Sequence, residues 1–113
     1  MKISEIAALT NARIVSDLNE DKDVERAFSS DLMSDVLTLD DGNIVLITGL
    51  SNIQLIRTAE MADIGVVLLA RGKQATTDMV QLANENGLAI METPFSLFRT
   101  SGILFTNGLK PVY

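Results

Sequence analysis

The chain has 113 residues, 47% of them hydrophobic and 21% charged, which suits one globular domain, spanning 1–113, with a core of its own. Fifteen Asp and Glu against nine Lys and Arg leave a net charge of −6, a balance that repels phosphate backbones and argues against a nucleic-acid partner. Cysteine and histidine are both absent, which excludes disulfides, thiolate metal sites and the Ser-His and Cys-His catalytic pairs.

In chain order, Ser4 is placed to cap a first helix with Ile3, Ile6 and Leu9 on one face. "ARIV" (Ala12 to Val15) reads as a strand, and the polar "SDLNEDKD" after it as a turn. "VERAFSS" (Val24 to Ser30) is predicted as the next strand. "SSDLMSDVLTL" is predicted as a helix capped by Ser30 or Asp31, with Leu32, Val36 and Leu39 on a shared face, and "DDGN" as the turn behind it. Ile44 to Ile47 is an unbroken apolar run that reads as a buried strand. Ser51 or Asn52 caps the helix that follows, with Ile53, Ile56, Ala59 and Ala62 inward. "IGVVLLA" (Ile64 to Ala70) is apolar throughout, as in a strand covered on both faces. Thr76 or Thr77 then caps a helix through Met79, Val80, Leu82 and Ala83, and Gly87 suits its left-handed end. "LAIM" (Leu88 to Met91) is a further buried strand, and Thr93 with Pro94 is expected to start the last helix. Fully apolar strands alternating with helices predict an α/β protein with a parallel sheet and helices on both sides. No segment reaches the ~18 apolar residues of a membrane span, and the N-terminus lacks an apolar signal region, so no membrane partner and a cytoplasmic location are expected.

In open parallel sheets ligands sit beyond the carboxyl ends of the strands. Three such ends are "TGLSN" (Thr48 to Asn52), "ARGKQ" (Ala70 to Gln74) and "ETP" (Glu92 to Pro94). Each leads to a helix N-terminus, where free N–H groups and the dipole favour an anion. The candidate ligand-binding residues are Ser30, Asp31, Thr48, Gly49, Ser51, Asn52, Arg71, Gly72 and Thr93. Arg71 and Lys73 would supply positive charge, or else stand as solvated loop charges. "RGKQAT" is not a P-loop: it has Val67 where the first Gly should be and Gln74 where Ser or Thr should hold magnesium. Asp31 and Asp35 are one helical turn apart, a spacing open to a shared cation but weak without further ligands, and Asp31 doubles as a helix cap. No metal, cofactor or catalytic set is expected; Asp31, Asp35 and Glu92 are the only candidates for acid–base work, and nothing in the sequence pairs them.

The segments "AFSSDLMSDVL", "IVLITGLSNIQLIRTAEMADIGVVLLARG" and "GLAIMETPFSLFRTSGIL" make the chain resemble a stand-alone DRTGG domain. That family is related to the HPr kinase/phosphorylase N-terminal domain and, more distantly, to the N-terminal domain of Mur ligases. The resemblance implies a three-layer α/β/α sandwich with a mainly parallel, HPr kinase N-terminal domain-like sheet. The family's Asp-Arg falls on Ser51 and Asn52 here, and its Thr-Gly-Gly falls on Leu69, Ala70 and Arg71 with Gly72 adjacent. The resemblance implies a regulatory, ligand-sensing module, and no kinase activity, since the HPr kinase P-loop lies in a separate domain. The expected partners are a small anionic metabolite or nucleotide, a partner enzyme, and a second copy of the chain. The alternative reading is a structural, protein-interaction domain without a small ligand, acting as a homodimer. Its basis is the apolar tail "LFTNGLKPVY", with Leu104, Phe105, Leu109, Val112 and Tyr113, which is expected to pack in a dimer interface, the alternative being that it folds back on its own sheet.

Overall fold

The computed structural model describes residues 1–113. Five helices and six strands alternate along the chain. They are α1 (Ile3–Thr10), β1 (Arg13–Ile14), β2 (Arg26–Ser29), α2 (Met33–Val36), β3 (Ile44–Thr48), α3 (Ile53–Met61), β4 (Val66–Leu69), α4 (Thr77–Asn86), β5 (Ala89–Glu92), α5 (Leu97–Thr106) and β6 (Lys110–Pro111). The strands form one sheet in the order β1-β5-β4-β3-β2-β6. All neighbours are parallel except β1, which runs antiparallel to β5.

Side-chain alternation along the strands divides the core in two. Ile44 and Leu46 of β3, Val67 and Leu69 of β4, and Ile90 of β5 face α2, α3 and α4, meeting Val36, Leu55, Ile56, Ala59, Met79 and Ala83. The opposite face carries Val45, Ile47, Leu68 and Met91, covered by Ile3 and Ile6 of α1 and Leu104 of α5. The result is a three-layer α/β/α sandwich. Strands β3, β4 and β5 are buried along their whole length, as the uninterrupted apolar runs predict. Because β5 is followed by a helix on the other face, the chain crosses the sheet and adds β6 beside β2 on the far edge. In register, Ser29 meets Ile47, Thr48 meets Leu69, and Leu69 meets Glu92, so the carboxyl ends of β2 to β5 share one rim.

Two helix starts and one helix end are as predicted. Asn52 caps α3 by accepting from Leu55 N–H at 2.9 Å, Thr76 caps α4 by accepting from Met79 N–H at 3.3 Å, and Gly87 ends α4 with φ 65°. Others differ. Ser4 does not cap α1. Its N–H and Oγ donate to Asp21 at 3.0 and 2.6 Å, so a carboxylate from the following loop takes the helix N-terminus. The predicted helix from Ser30 to Leu39 is one turn, Met33–Val36, because only Val36 is buried there while Leu32 and Leu37 face solvent. Neither Ser30 nor Asp31 is its cap; that position is Leu32, with no side-chain bond. Thr93 and Pro94 do not start α5. Ser96 caps it, accepting from Arg99 N–H at 3.1 Å, while the Thr93 hydroxyl donates to the Thr10 carbonyl at 2.5 Å. The apolar tail, expected at a dimer interface, returns instead to its own sheet: Leu109 is buried and Lys110–Pro111 pairs with β2, whose edge it covers. Phe105 and Tyr113 remain exposed.

Candidate functional site

The rim brings four helix-entry segments together, and two adjacent parts of it are built differently. At the end of β3, the Gly49 N–H donates to the Asp31 carboxylate at 2.7 Å and the Thr48 hydroxyl donates to the same oxygen at 3.0 Å. The donors of this turn thus serve an anion that the chain itself supplies from the β2–α2 segment. Leu50 N–H donates to the Thr48 hydroxyl at 3.2 Å, so that side chain both gives and receives. The Arg71 guanidinium donates to the Gly49 carbonyl at 3.1 Å from the β4–α4 segment. A Cβ at Gly49 would lie 2.7 Å from Arg71 Nε, so glycine here makes room for the guanidinium. Ser51 and Asn52 are likewise engaged: the Ser51 hydroxyl donates to the Gln74 carbonyl at 2.5 Å, and Asn52 caps α3. Ser30 Oγ accepts from Leu32 N–H at 3.0 Å within its own loop. Asp31 makes its bonds at the β3 turn rather than joining Asp35, and no cluster of three or more acidic side chains is placed to hold a metal.

The second part is an open cleft of ≈ 390 Å³ at the ends of β4 and β5, bordered on its outer side by the α1–β1 connection. Gly72, Lys73 and Gln74 form one wall, Glu92, Thr93 and Pro94 the floor, and Asn11 and Arg13 the far wall. The backbone at Arg71 and Gly72 is left-handed at both positions, with φ 63° and 72°. For Arg71 that conformation costs on the order of 1–2 kcal/mol. It is held by Arg71 N–H donating to the Phe95 carbonyl at 2.8 Å and Gly72 N–H to the Thr93 carbonyl at 3.0 Å. The double turn displays Lys73 on the cleft wall.

Glu92 organises the floor. It is 8% exposed, accepts from Arg13 Nε and Nη2 at 2.9 and 2.8 Å through one oxygen, and from Ala75 N–H at 2.6 Å through the other. One carboxylate thereby ties edge strand β1, strand β5 and the approach to α4 together. Arg13 and Glu92 neutralise each other, and Lys73 enters no ion pair. The cleft therefore keeps one uncommitted positive charge.

Of the nine predicted residues, the fold joins Asp31, Thr48, Gly49 and Arg71 by direct hydrogen bonds, and lines the cleft with Gly72 and Thr93. Arg13 and Asn11 were not singled out by sequence. Their place follows from β1 joining β5 across 79 residues of sequence, a pairing that no local pattern announces.

No protein-family model matches the chain, and no curated protein matches it significantly. A solved structure does match: the CBS and DRTGG domains of the regulatory region of Clostridium perfringens pyrophosphatase, complexed with its activator diadenosine tetraphosphate. The similarity has a TM-score of 0.75 at 15% identity and covers 97% of this chain. This chain spans about half of that one, 47%. The likeness shows the fold, which is DRTGG-like, and agrees with the α/β/α sandwich described above.

Proposed function

We propose that this chain is a non-catalytic, ligand-sensing regulatory module whose rim cleft takes a small anionic metabolite or nucleotide and relays its presence to a partner enzyme. The observation that carries the reading is the unpaired Lys73, set by the left-handed Arg71–Gly72 turn on a cleft whose only carboxylate, Glu92, is already held by Arg13 and Ala75. A phosphate entering the cleft would meet Lys73 and the Arg13 edge without displacing an internal anion. The similar pyrophosphatase region, a regulatory segment crystallised with a nucleotide activator, supports a sensing role for this fold. In this reading Lys73 and Arg13 contact the ligand, while Gly72 and the buried Thr93 shape the cleft. Asp31, Thr48, Gly49 and Arg71 hold the neighbouring turn, Ser51 and Asn52 fix the start of α3 beside it, and Ser30 shapes the loop that carries Asp31. The test is calorimetric titration with ATP, AMP, diadenosine tetraphosphate and acetyl phosphate, on the wild type and on Lys73→Ala. Saturable binding by one of them, weakened about tenfold in the variant, is expected for a lost charge-assisted contact. Heat absent across the panel, or binding indifferent to Lys73→Ala, contradicts the reading.

A further inference from the structure

On the other layer of the molecule, α5 covers the sheet incompletely. Between it and β2, β3 and β6 lies an open groove of ≈ 310 Å³, floored by Ala27, Ser29 and Ile47 and edged by Phe98, Gly102 and Phe105. Phe98 and Phe105 are 89% and 65% exposed, one turn before and one turn after Gly102.

Gly102 has no backbone reason to be glycine. It lies in the interior of α5 with no positive φ, and a Cβ there would meet nothing within 4 Å. Glycine in a helix interior is destabilising relative to alanine, so the chain forgoes helix stability to leave this space empty. Beside it, the Ser101 hydroxyl donates to the Leu97 carbonyl at 2.8 Å and therefore accepts from Ser29 Oγ at 2.7 Å. That bond ties α5 to β2 with both hydroxyl protons committed, leaving the groove a weakly polar floor. Charge selects the occupant. In a chain with fifteen acidic residues, none lines the groove, and the single charged residue that does is Lys110, which enters no ion pair.

From these features we infer that the groove is a second ligand site, separate from the rim cleft, for a small apolar monoanion: a hydrophobic body lying over Gly102 between the two Phe rings, its carboxylate directed to Lys110. Aromatic faces and edges suit a flat body, and a volume of this order is enough for one. The inference is independent of the rim-cleft reading, because no residue that lines the rim cleft lines the groove.

The test is amide NMR titration with 2-naphthoate and decanoate, and with 2-naphthylmethanol as the uncharged counterpart, on the full chain, with light scattering on the same samples. Shifts confined to Ala27, Ser29, Phe98 to Gly102, Phe105 and Lys110 are expected, with 2-naphthoate binding more tightly than decanoate, as a flat body between the Phe rings requires. A Cβ at Gly102 meets nothing within 4 Å, so Gly102→Leu projects into the open groove; with its fold verified by its amide spectrum, its affinity for the anion falls at least about tenfold, and that of Gly102→Ala falls less. Lys110→Gln brings the affinity for 2-naphthoate down to that for 2-naphthylmethanol and leaves the alcohol unchanged. Equal binding by Gly102→Leu, shifts scattered outside the groove, or a wild-type dimer that Gly102→Leu converts to monomer would each overturn the proposal, the last because a second copy then covers the groove.

Discussion

Two neighbouring turns on one rim put the same chemistry to opposite use. At the end of β3, the turn donors are closed by Asp31, a carboxylate seventeen residues upstream, and its carbonyl is covered by Arg71. At the ends of β4 and β5, the internal carboxylate Glu92 is held on the floor by Arg13 and Ala75, and Lys73 stands open above it. A glycine-bearing turn at a helix start is thus not by itself an empty anion seat. What decides is whether the chain already supplies the anion.

The contrast can be broken most severely at Glu92. Glu92→Ala leaves the Ala75 N–H without its acceptor and unties β1 from the approach to α4. A loss of about 2–3 kcal/mol is expected in urea unfolding. A loss near zero would show that the floor of the cleft does not depend on this carboxylate. Asp31→Ala should cost about 1–2 kcal/mol, since the Gly49 N–H is buried but the acid itself lies at the surface. The same variant sharpens the comparison: inorganic phosphate should restore part of the lost melting temperature by occupying the vacated donors. An Asp31→Ala protein whose melting temperature ignores phosphate would show that the turn is not an anion seat at all. Gly49→Ala is expected to cost under about 1 kcal/mol, because the atoms in the way belong to the end of the flexible Arg71 side chain. Its signature should be a displaced guanidinium rather than a collapse.

The smallest effect is electrostatic and distant from the rim. Hydrogen bonds from Ser4 hold Asp21 below its ordinary value of 3.8, and the N-terminal ammonium of Met1 does the same for Asp23. Both groups have lower values folded than unfolded, so their contribution is present above about pH 4 and fades as the pH falls through the folded values. Ser4→Ala should lower stability slightly across the neutral range and leave it nearly unchanged at the most acidic end, so that the acid limb of the profile flattens. An unchanged acid limb would mean that Asp21 gains nothing from the α1 terminus.

The sequence made the sheet legible because β3, β4 and β5 are buried on both faces, and an uninterrupted apolar run has few other destinations. Helix starts were readable where the cap oxygen and the donor N–H are three residues apart, as at Asn52 and Thr76. They were misread where the polar group reaches across the fold. Thr93 looks like a cap but serves the Thr10 carbonyl, 83 residues away, and Asp31 looks like a cap but serves Thr48 and Gly49. The one-turn α2 escaped for a related reason: its apolar positions follow the helical period, yet nothing packs over Leu32 and Leu37. The candidate site was legible as a rim and not as a cleft. Sequence places Gly72 and Thr93 at strand ends, but Arg13 and Asn11 arrive through the antiparallel edge strand β1.

The most direct test of the open-cleft account is amide NMR titration of the wild type with ATP and with inorganic phosphate. Perturbation should gather at Asn11 to Arg13, Gly72 to Gln74 and Thr93, with Gly49 to Asn52 nearly still. Movement centred on Gly49 to Asn52 with the cleft silent, or no movement in either place, would contradict it.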